Sequence, residues 1–304
     1  MGTLLVTGGG GFLAQHIAAE FKAAGWRVSG LGRTAPSTEG IYADFWQVTL
    51  PSSDLGSYLL KTCPDLIINT VGTSSISFSL EHPTEDLIRN VVDYYQILEQ
   101  LRRSQIPARV IQLSSAAVYG QPEHFPISED TPLRPVSPYG FHKLQAELVS
   151  REFHVLHGLP VCNLRIFSAY GKGLKRQIIW DLCRQASATG KLVLEGTGSE
   201  ERDFIHAKDV ARAALLVFEK GEFNAGSYNI ATGTSRPVRD IAHGIAKLGQ
   251  LARPPEFAGK MRAGNPQIWR VTPDRLEILG FKPHVSWEDG FTETVLWCLS
   301  NLKP

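Results

Sequence analysis

Tyr139 and Lys143, with Ser115 upstream of them, are the residues of this chain best suited to moving a proton. Ser137 is a good N-cap and Pro138 a good first helical residue, so the sequence predicts a helix with Tyr139 in its first turn. Four residues on, Lys143 falls on the same face of that helix. A free tyrosine titrates near ~10 and carries protons poorly at neutral pH. A lysine ammonium one turn away and the positive end of a helix would each favour the phenolate. Ser115 closes a Ser-Ser strand end, from which its hydroxyl would hold a substrate oxygen beside the tyrosine. Tyr-x-x-x-Lys alone is a common surface spacing, so its weight depends on what accompanies it.

What accompanies it is the stretch 3–24. Thr-Leu-Leu-Val-Thr reads as a short buried parallel strand, and Gly8 to Gly11 turn the chain into an amphipathic helix. The free N–H groups and dipole at such a helix start suit a phosphate. Written G-x-x-G-x-x-A, the motif is Gly8, Gly11 and Ala14, a dinucleotide fingerprint with alanine in its third place. An oxidised nicotinamide in this site would add to the pull towards a Tyr139 phenolate. The acid usually found about 20 residues past the glycines is missing: no Asp or Glu lies between Glu20 and Glu39. The second strand runs out instead into Gly30-Leu31-Gly32-Arg33. Gly32 leaves room and Arg33 offers a forked donor matched to a 2′-phosphate, so NADP is expected ahead of NAD. A solvated surface arginine is the plain alternative.

The elements that must position these groups alternate. Strands are predicted at 27–31, 65–71, 108–114 and 160–167, and helices at 53–62, 84–103 and 137–157. This pattern predicts an α/β fold with a doubly wound parallel (Rossmann) sheet, whose ligands gather at the carboxyl ends of the strands. Lysine plus arginine number 31 against 30 acids, which gives no argument for nucleic acid or membrane partners. No apolar run approaches the ~18 residues of a membrane span. No secretory leader is visible, and the four cysteines (Cys63, Cys162, Cys183, Cys298) are scattered without C-x-x-C spacing. A reducing cytoplasm is therefore expected, with neither disulfides nor a cysteine-based metal site.

Several motifs together resemble the extended short-chain dehydrogenase/reductases, in their nucleotide-sugar epimerase/dehydratase/reductase branch. They are 7–14 (Thr-Gly-Gly-Gly-Gly-Phe-Leu-Ala), 114–120 (Ser-Ser-Ala-Ala-Val-Tyr-Gly) and 139–143 (Tyr-Gly-Phe-His-Lys). Further matches are Leu164-Arg165-Ile-Phe167-Ser168-Ala-Tyr170-Gly171, Arg202-Asp203-Phe204-Ile205-His206, Tyr228-Asn229-Ile230 and Leu279-Gly280-Phe281. The likeness runs nearly end to end. It implies a dinucleotide-binding domain at 1–167, with segments near 204–232 returning to it, and a smaller C-terminal α/β substrate lobe at 168–304. It also implies a homodimer.

By the same resemblance Ser115, Tyr139 and Lys143 form the catalytic triad, with Lys143 also on the nicotinamide ribose. Gly8, Gly11, Phe12 and Leu13 would line the pyrophosphate, and Thr70, Val71 and Gly72 the inner face of the cofactor. Arg202 and Arg262 would bind the diphosphate of a nucleotide sugar, Ser168 would face the sugar, Asn90 would support, and His206 would be structural. Two departures narrow the reaction. Ala116 and Ala117 stand where the branch's 4,6-dehydratases carry an acidic pair, and Lys172-Gly173-Leu174-Lys175-Arg176 lacks the histidine of the 3,5-epimerase-reductases. The expectation is an NADP-dependent oxidoreductase that transfers hydride to the keto carbon, C4, of a nucleotide-diphosphate sugar. The alternative is a 4-epimerase with retained NAD(P), and a third reading is a non-catalytic nucleotide-binding sensor or scaffold.

Overall fold

Short apolar runs that leave no polar face have to lie between two layers of helix, and the strands of this chain do so. The computed structural model describes residues 2–259 and 268–302. Among these, the strands are β1 (Thr3–Thr7), β2 (Arg27–Gly32), β3 (Asp44–Gln47), β4 (Leu66–Asn69), β5 (Arg109–Ser115) and β6 (Val161–Ile166). There follow β7 (Ser168–Tyr170), β8 (Val193–Leu194), β9 (Glu201–His206), β10 (Asn224–Ile230), β11 (Ser235–Pro237) and β12 (Glu256–Phe257). Seven of them form one sheet in the order β10-β6-β5-β4-β1-β2-β3, parallel at every pairing.

Alternation along β1 shows how the sheet is covered. Leu4 and Val6 pack with Ile17 and Phe21 of the helix Phe12–Ala23 and with Val210 and Val217 of the helix Ala207–Lys220. Leu5 points the other way, to Tyr94, Ile97 and Phe153 of the helices Asp93–Ser104 and Pro138–His157. All three β1 side chains are fully buried, as a doubly wound sheet requires. Smaller sheets, β11-β9-β7 and β12-β8, accompany the helices Gln177–Thr189, Val238–Leu248 and Trp287–Asn301 around a separate core containing Tyr170, Cys183, Ile241 and Phe291.

The structure departs from the predicted elements around the cleft, and it adds a short helix, Ile76–Glu81, that was not predicted. The helix expected at 84–103 is a short helix Pro83–Leu87, a π turn Ile88–Val92 and the helix Asp93–Ser104. Apolar periodicity does not register one extra residue in a turn, and such turns concentrate at functional sites. The strand expected at 65–71 ends at Asn69, because Thr70 to Gly72 leave the sheet. The edge strand β3 was not predicted; it is four residues long, with no fully buried side chain.

One buried ion pair fixes the helix Pro138–His157 to this sheet. Ser137 caps its first turn by accepting from the Gly140 N–H at 3.2 Å. Midway along, the Glu147 carboxylate takes two bonds from Arg165 of β6, Nη2 to Oε2 at 2.8 Å and Nε to Oε1 at 3.0 Å, and one from Ser114 Oγ of β5 at 2.6 Å. Arg165 also donates to the Tyr119 hydroxyl and the Glu129 carbonyl, and Tyr119 donates to Asn229 of β10 at 2.6 Å. Removing one member strands a charge that is only 7% exposed. Arg165→Met should therefore cost about 3–5 kcal/mol of unfolding free energy, read from chemical denaturation; a loss within experimental error of zero would contradict this role.

Candidate active site

The carboxyl ends of β1, β2, β4, β5 and β6 open into one cleft of about 1620 Å³. Gly8, Gly11, Phe12, Leu13, Arg33, Thr70, Val71 and Gly72 line it. Ser115, Tyr139, Lys143, Ser168 and Arg202 line it too, with Lys143 next to Gly72. Arg262, the second expected diphosphate ligand, lies outside the described residues.

The glycine loop is shaped by close backbone contacts. Gly8 has φ +74°, and a Cβ there would sit 2.7 Å from Thr70 Oγ1 and 2.9 Å from the Val71 nitrogen. A Cβ on Gly10 would run into the Thr34 carbonyl. The loop is tied down by Gly9 N–H to the Leu31 carbonyl at 2.9 Å and Thr70 Oγ1 to the Thr7 carbonyl at 2.7 Å. Gly11 starts the helix Phe12–Ala23 without a side-chain cap, and the first turn holds no acid. Its free N–H groups and dipole are thus left for an anion, and a cradle that any side chain would fill fits a dinucleotide pyrophosphate.

Ser115 ends β5, and its hydroxyl is near enough to Tyr139 to favour the phenolate. Ser115 Oγ also accepts from the Ala117 N–H at 3.2 Å. Gly140 lets the helix start approach this turn, since a Cβ there would lie 2.6 Å from the Ala117 carbonyl. Lys143 is buried one turn on; its Nζ donates to the Leu113 carbonyl at 3.0 Å and lies 5.8 Å from the Tyr139 ring centre. The expected depression of the Tyr139 pKa is absent. Burial raises it above the ordinary value, and the Ser115 hydroxyl and the Arg176 charge oppose that rise without cancelling it. Burial also lowers Lys143 to about 8, against the pull of Asp86 and Glu147. Desolvation therefore outweighs the groups that oppose it at both residues.

Asn90 sits behind Gly72, where a Cβ would meet its Oδ1, and its Nδ2 donates to Thr73 Oγ1 at 3.1 Å. Arg202 donates to the Glu201 carbonyl at 2.8 Å, lies 5.2 Å from the Trp269 ring centre, and is lowered by burial to about 10. His206 caps the helix Ala207–Lys220 by accepting from the Lys208 N–H. Sequence reasoning missed Arg176, which lines the cleft and acts electrostatically on Tyr139. The cluster Lys172, Lys175 and Arg176 after Gly171 was its available signal.

Arg33 is exposed at the end of β2, and its charge acts on Asp93, a buried carboxylate that lines the same cleft.

The model of the NAD dependent epimerase/dehydratase family matches residues 4–231. A UDP-glucose 4-epimerase of Mycolicibacterium smegmatis is 27% identical, over 96% of each chain. Among solved structures, MoeE5 in complex with UDP-glucose and NAD is 27% identical, with a TM-score of 0.87 over 99% of this chain and 100% of that one. The UDP-glucose 4-epimerase of Thermus thermophilus, in complex with NAD, is 25% identical, with a TM-score of 0.86 over 97% and 98%. NAD in these similar structures overturns both the expectation of NADP and the NADP-dependent reductase built on it. The missing acid after the glycines, the space at Gly32 and the fork of Arg33 had carried that expectation.

The glycine loop yields a direct test. Gly8→Ala combines a positive φ with backbone contacts that cannot yield, and should cost about 1–3 kcal/mol together with dinucleotide affinity. Unchanged denaturation and binding curves would contradict the loop geometry.

Proposed function

The chain belongs to the NAD dependent epimerase/dehydratase family, and from that premise we propose that it is a nucleotide-diphosphate-sugar 4-epimerase that keeps NAD bound through its cycle. The observation that carries the reading is Tyr139, buried at the cleft with the Ser115 hydroxyl favouring its phenolate, beside a turn that offers only Ala116 and Ala117. Such a site can take a proton from a hydroxyl and return it. It lacks, at that turn, an acid for expelling water from the neighbouring carbons, which argues against dehydration. UDP-glucose and NAD in the similar MoeE5 structure support both the substrate class and the cofactor.

In this reading Tyr139 removes the proton of the sugar 4-hydroxyl and later restores it to the same oxygen on the inverted carbon. Ser115 holds that oxygen while the charge on it changes. Lys143 anchors the nicotinamide ribose and sets the field at Tyr139. NAD, when bound, supplies the acceptor and donor of hydride. Gly8, Gly11, Phe12 and Leu13 hold the pyrophosphate, and Thr70, Val71 and Gly72 wall the inner side. Arg202 and Arg262 grip the sugar's diphosphate, because guanidinium forks match phosphate oxygens, and Ser168 faces the sugar. Residues 1–167 with 204–232 hold the dinucleotide, and the remainder closes over the sugar.

The test is a panel of UDP- and dTDP-hexoses incubated without added reductant and followed by NMR. Inversion at C4 is expected for at least one substrate. Tyr139→Phe should lower turnover by about 10²–10⁴-fold while NAD affinity is kept. Accumulation of a 4-keto-6-deoxy sugar, or full turnover by the variant, would overturn the reading.

A further inference from the structure

The end of the cleft beyond the glycine loop is walled by Arg33, Val48, Thr49, Leu50, Val71 and Asp93. This is the carboxyl end of β2, over which the adenosine half of a dinucleotide lies in such sheets. The acid that ordinarily meets the adenosine ribose is absent from β2 itself. Asp93 lines the same end of the cleft, at the start of the helix Asp93–Ser104 and directly after the π turn Ile88–Val92.

Asp93 is fully buried, and neither carboxylate oxygen has a hydrogen-bond partner. The nearest cation, Arg89 Nη1, is 3.8 Å from Oδ2, beyond hydrogen-bond range, and Arg89 also faces Glu85 at 3.6 Å. Burial lifts the Asp93 pKa to about 6, against the pull of Arg89 and Arg33. A carboxylate taken out of water without donors destabilises the fold around it. A structural role would have given those oxygens N–H or O–H partners, and the protein itself supplies none.

We infer that Asp93 recognises the adenosine half of NAD, its carboxylate accepting a hydrogen bond from a ribose hydroxyl or from the adenine 6-amino group. Both are neutral donors of the kind the two oxygens lack. The carboxylate thus takes over, from a neighbouring helix, the task of the acid missing after β2. It also sets a negative charge against any added 2′-phosphate, which favours NAD over NADP. The inference rests on the reading of the cleft as an NAD site.

The test compares wild type with Asp93→Asn on protein stripped of nucleotide, measuring equilibrium binding of NAD and of UDP separately, and thermal unfolding. The variant is expected to bind NAD about 10- to 100-fold more weakly, to bind UDP unchanged, and to melt at a higher temperature without nucleotide, because a buried carboxylate without hydrogen-bond donors is gone. Nicotinamide hypoxanthine dinucleotide, which lacks the 6-amino group, separates the two donors. If wild type binds it as weakly as Asp93→Asn binds NAD, the contact is the amino group. If wild type binds it like NAD and rejects NADP, the contact is the ribose. Equal NAD affinity in the two proteins, or a lower melting temperature for the variant, would overturn the inference. Wild type that binds UDP but not NAD would overturn the proposed function as well, and so marks that failure apart.

Discussion

The cleft depends on one helix, Pro138–His157, being held at a fixed register against the sheet, and the buried Glu147–Arg165 pair is what holds it. Ser114 donates to Glu147, and the next residue is Ser115; Tyr139 and Lys143 lie eight and four residues before Glu147 on the same helix. The hydroxyl of Ser115 and the phenol of Tyr139 are thus positioned from opposite ends of a single network. Arg165 carries that network on to β10 through Tyr119 and Asn229. The strand that joins the sheet last in the chain therefore supports the pair that faces the cleft. Such a network costs desolvation, and what it provides in return is geometry.

Desolvation is also the second theme of the cleft. It raises Tyr139, lowers Lys143 and raises Asp93. Each shift disfavours the charged form of a group held in the walls of a cleft shaped for a large ligand. A dinucleotide brings in what these groups lack: a positive nicotinamide beside Tyr139 and hydrogen-bond donors beside Asp93. A site whose ionisable residues are completed by the cofactor should hold that cofactor tightly. Tight retention is what an epimerase needs, since the oxidised sugar and the reduced cofactor must stay together while the sugar turns.

The alternation of strand and helix, the glycine loop and the Ser115, Tyr139 and Lys143 positions were legible in the sequence because each is a local pattern. Turn residues, caps and 2- or 3.6-residue periods lie within a few positions of one another. What was not legible depends on partners distant in sequence. Arg33 read as a phosphate fork because nothing near it in sequence is acidic, whereas Asp93 comes within its electrostatic reach only in the folded cleft. Tyr139 read as a phenolate because the sequence shows the nearby lysine but not the burial that raises the phenol's pKa. The break at Ile88–Val92 left the apolar rhythm of the helix almost unchanged, so nothing flagged the point where Asp93 enters the cleft wall.

The central claim is that Tyr139 and a retained NAD invert one carbon without releasing anything between the two half-reactions. The measurement that tests it most directly is turnover of a nucleotide sugar carrying deuterium at C4, mixed with an unlabelled sugar distinguishable by mass and with free NAD present. The account predicts that the inverted product keeps its deuterium at C4, with no crossover to the second sugar and none to free NAD. Deuterium found in the unlabelled sugar or in the external cofactor pool would contradict it.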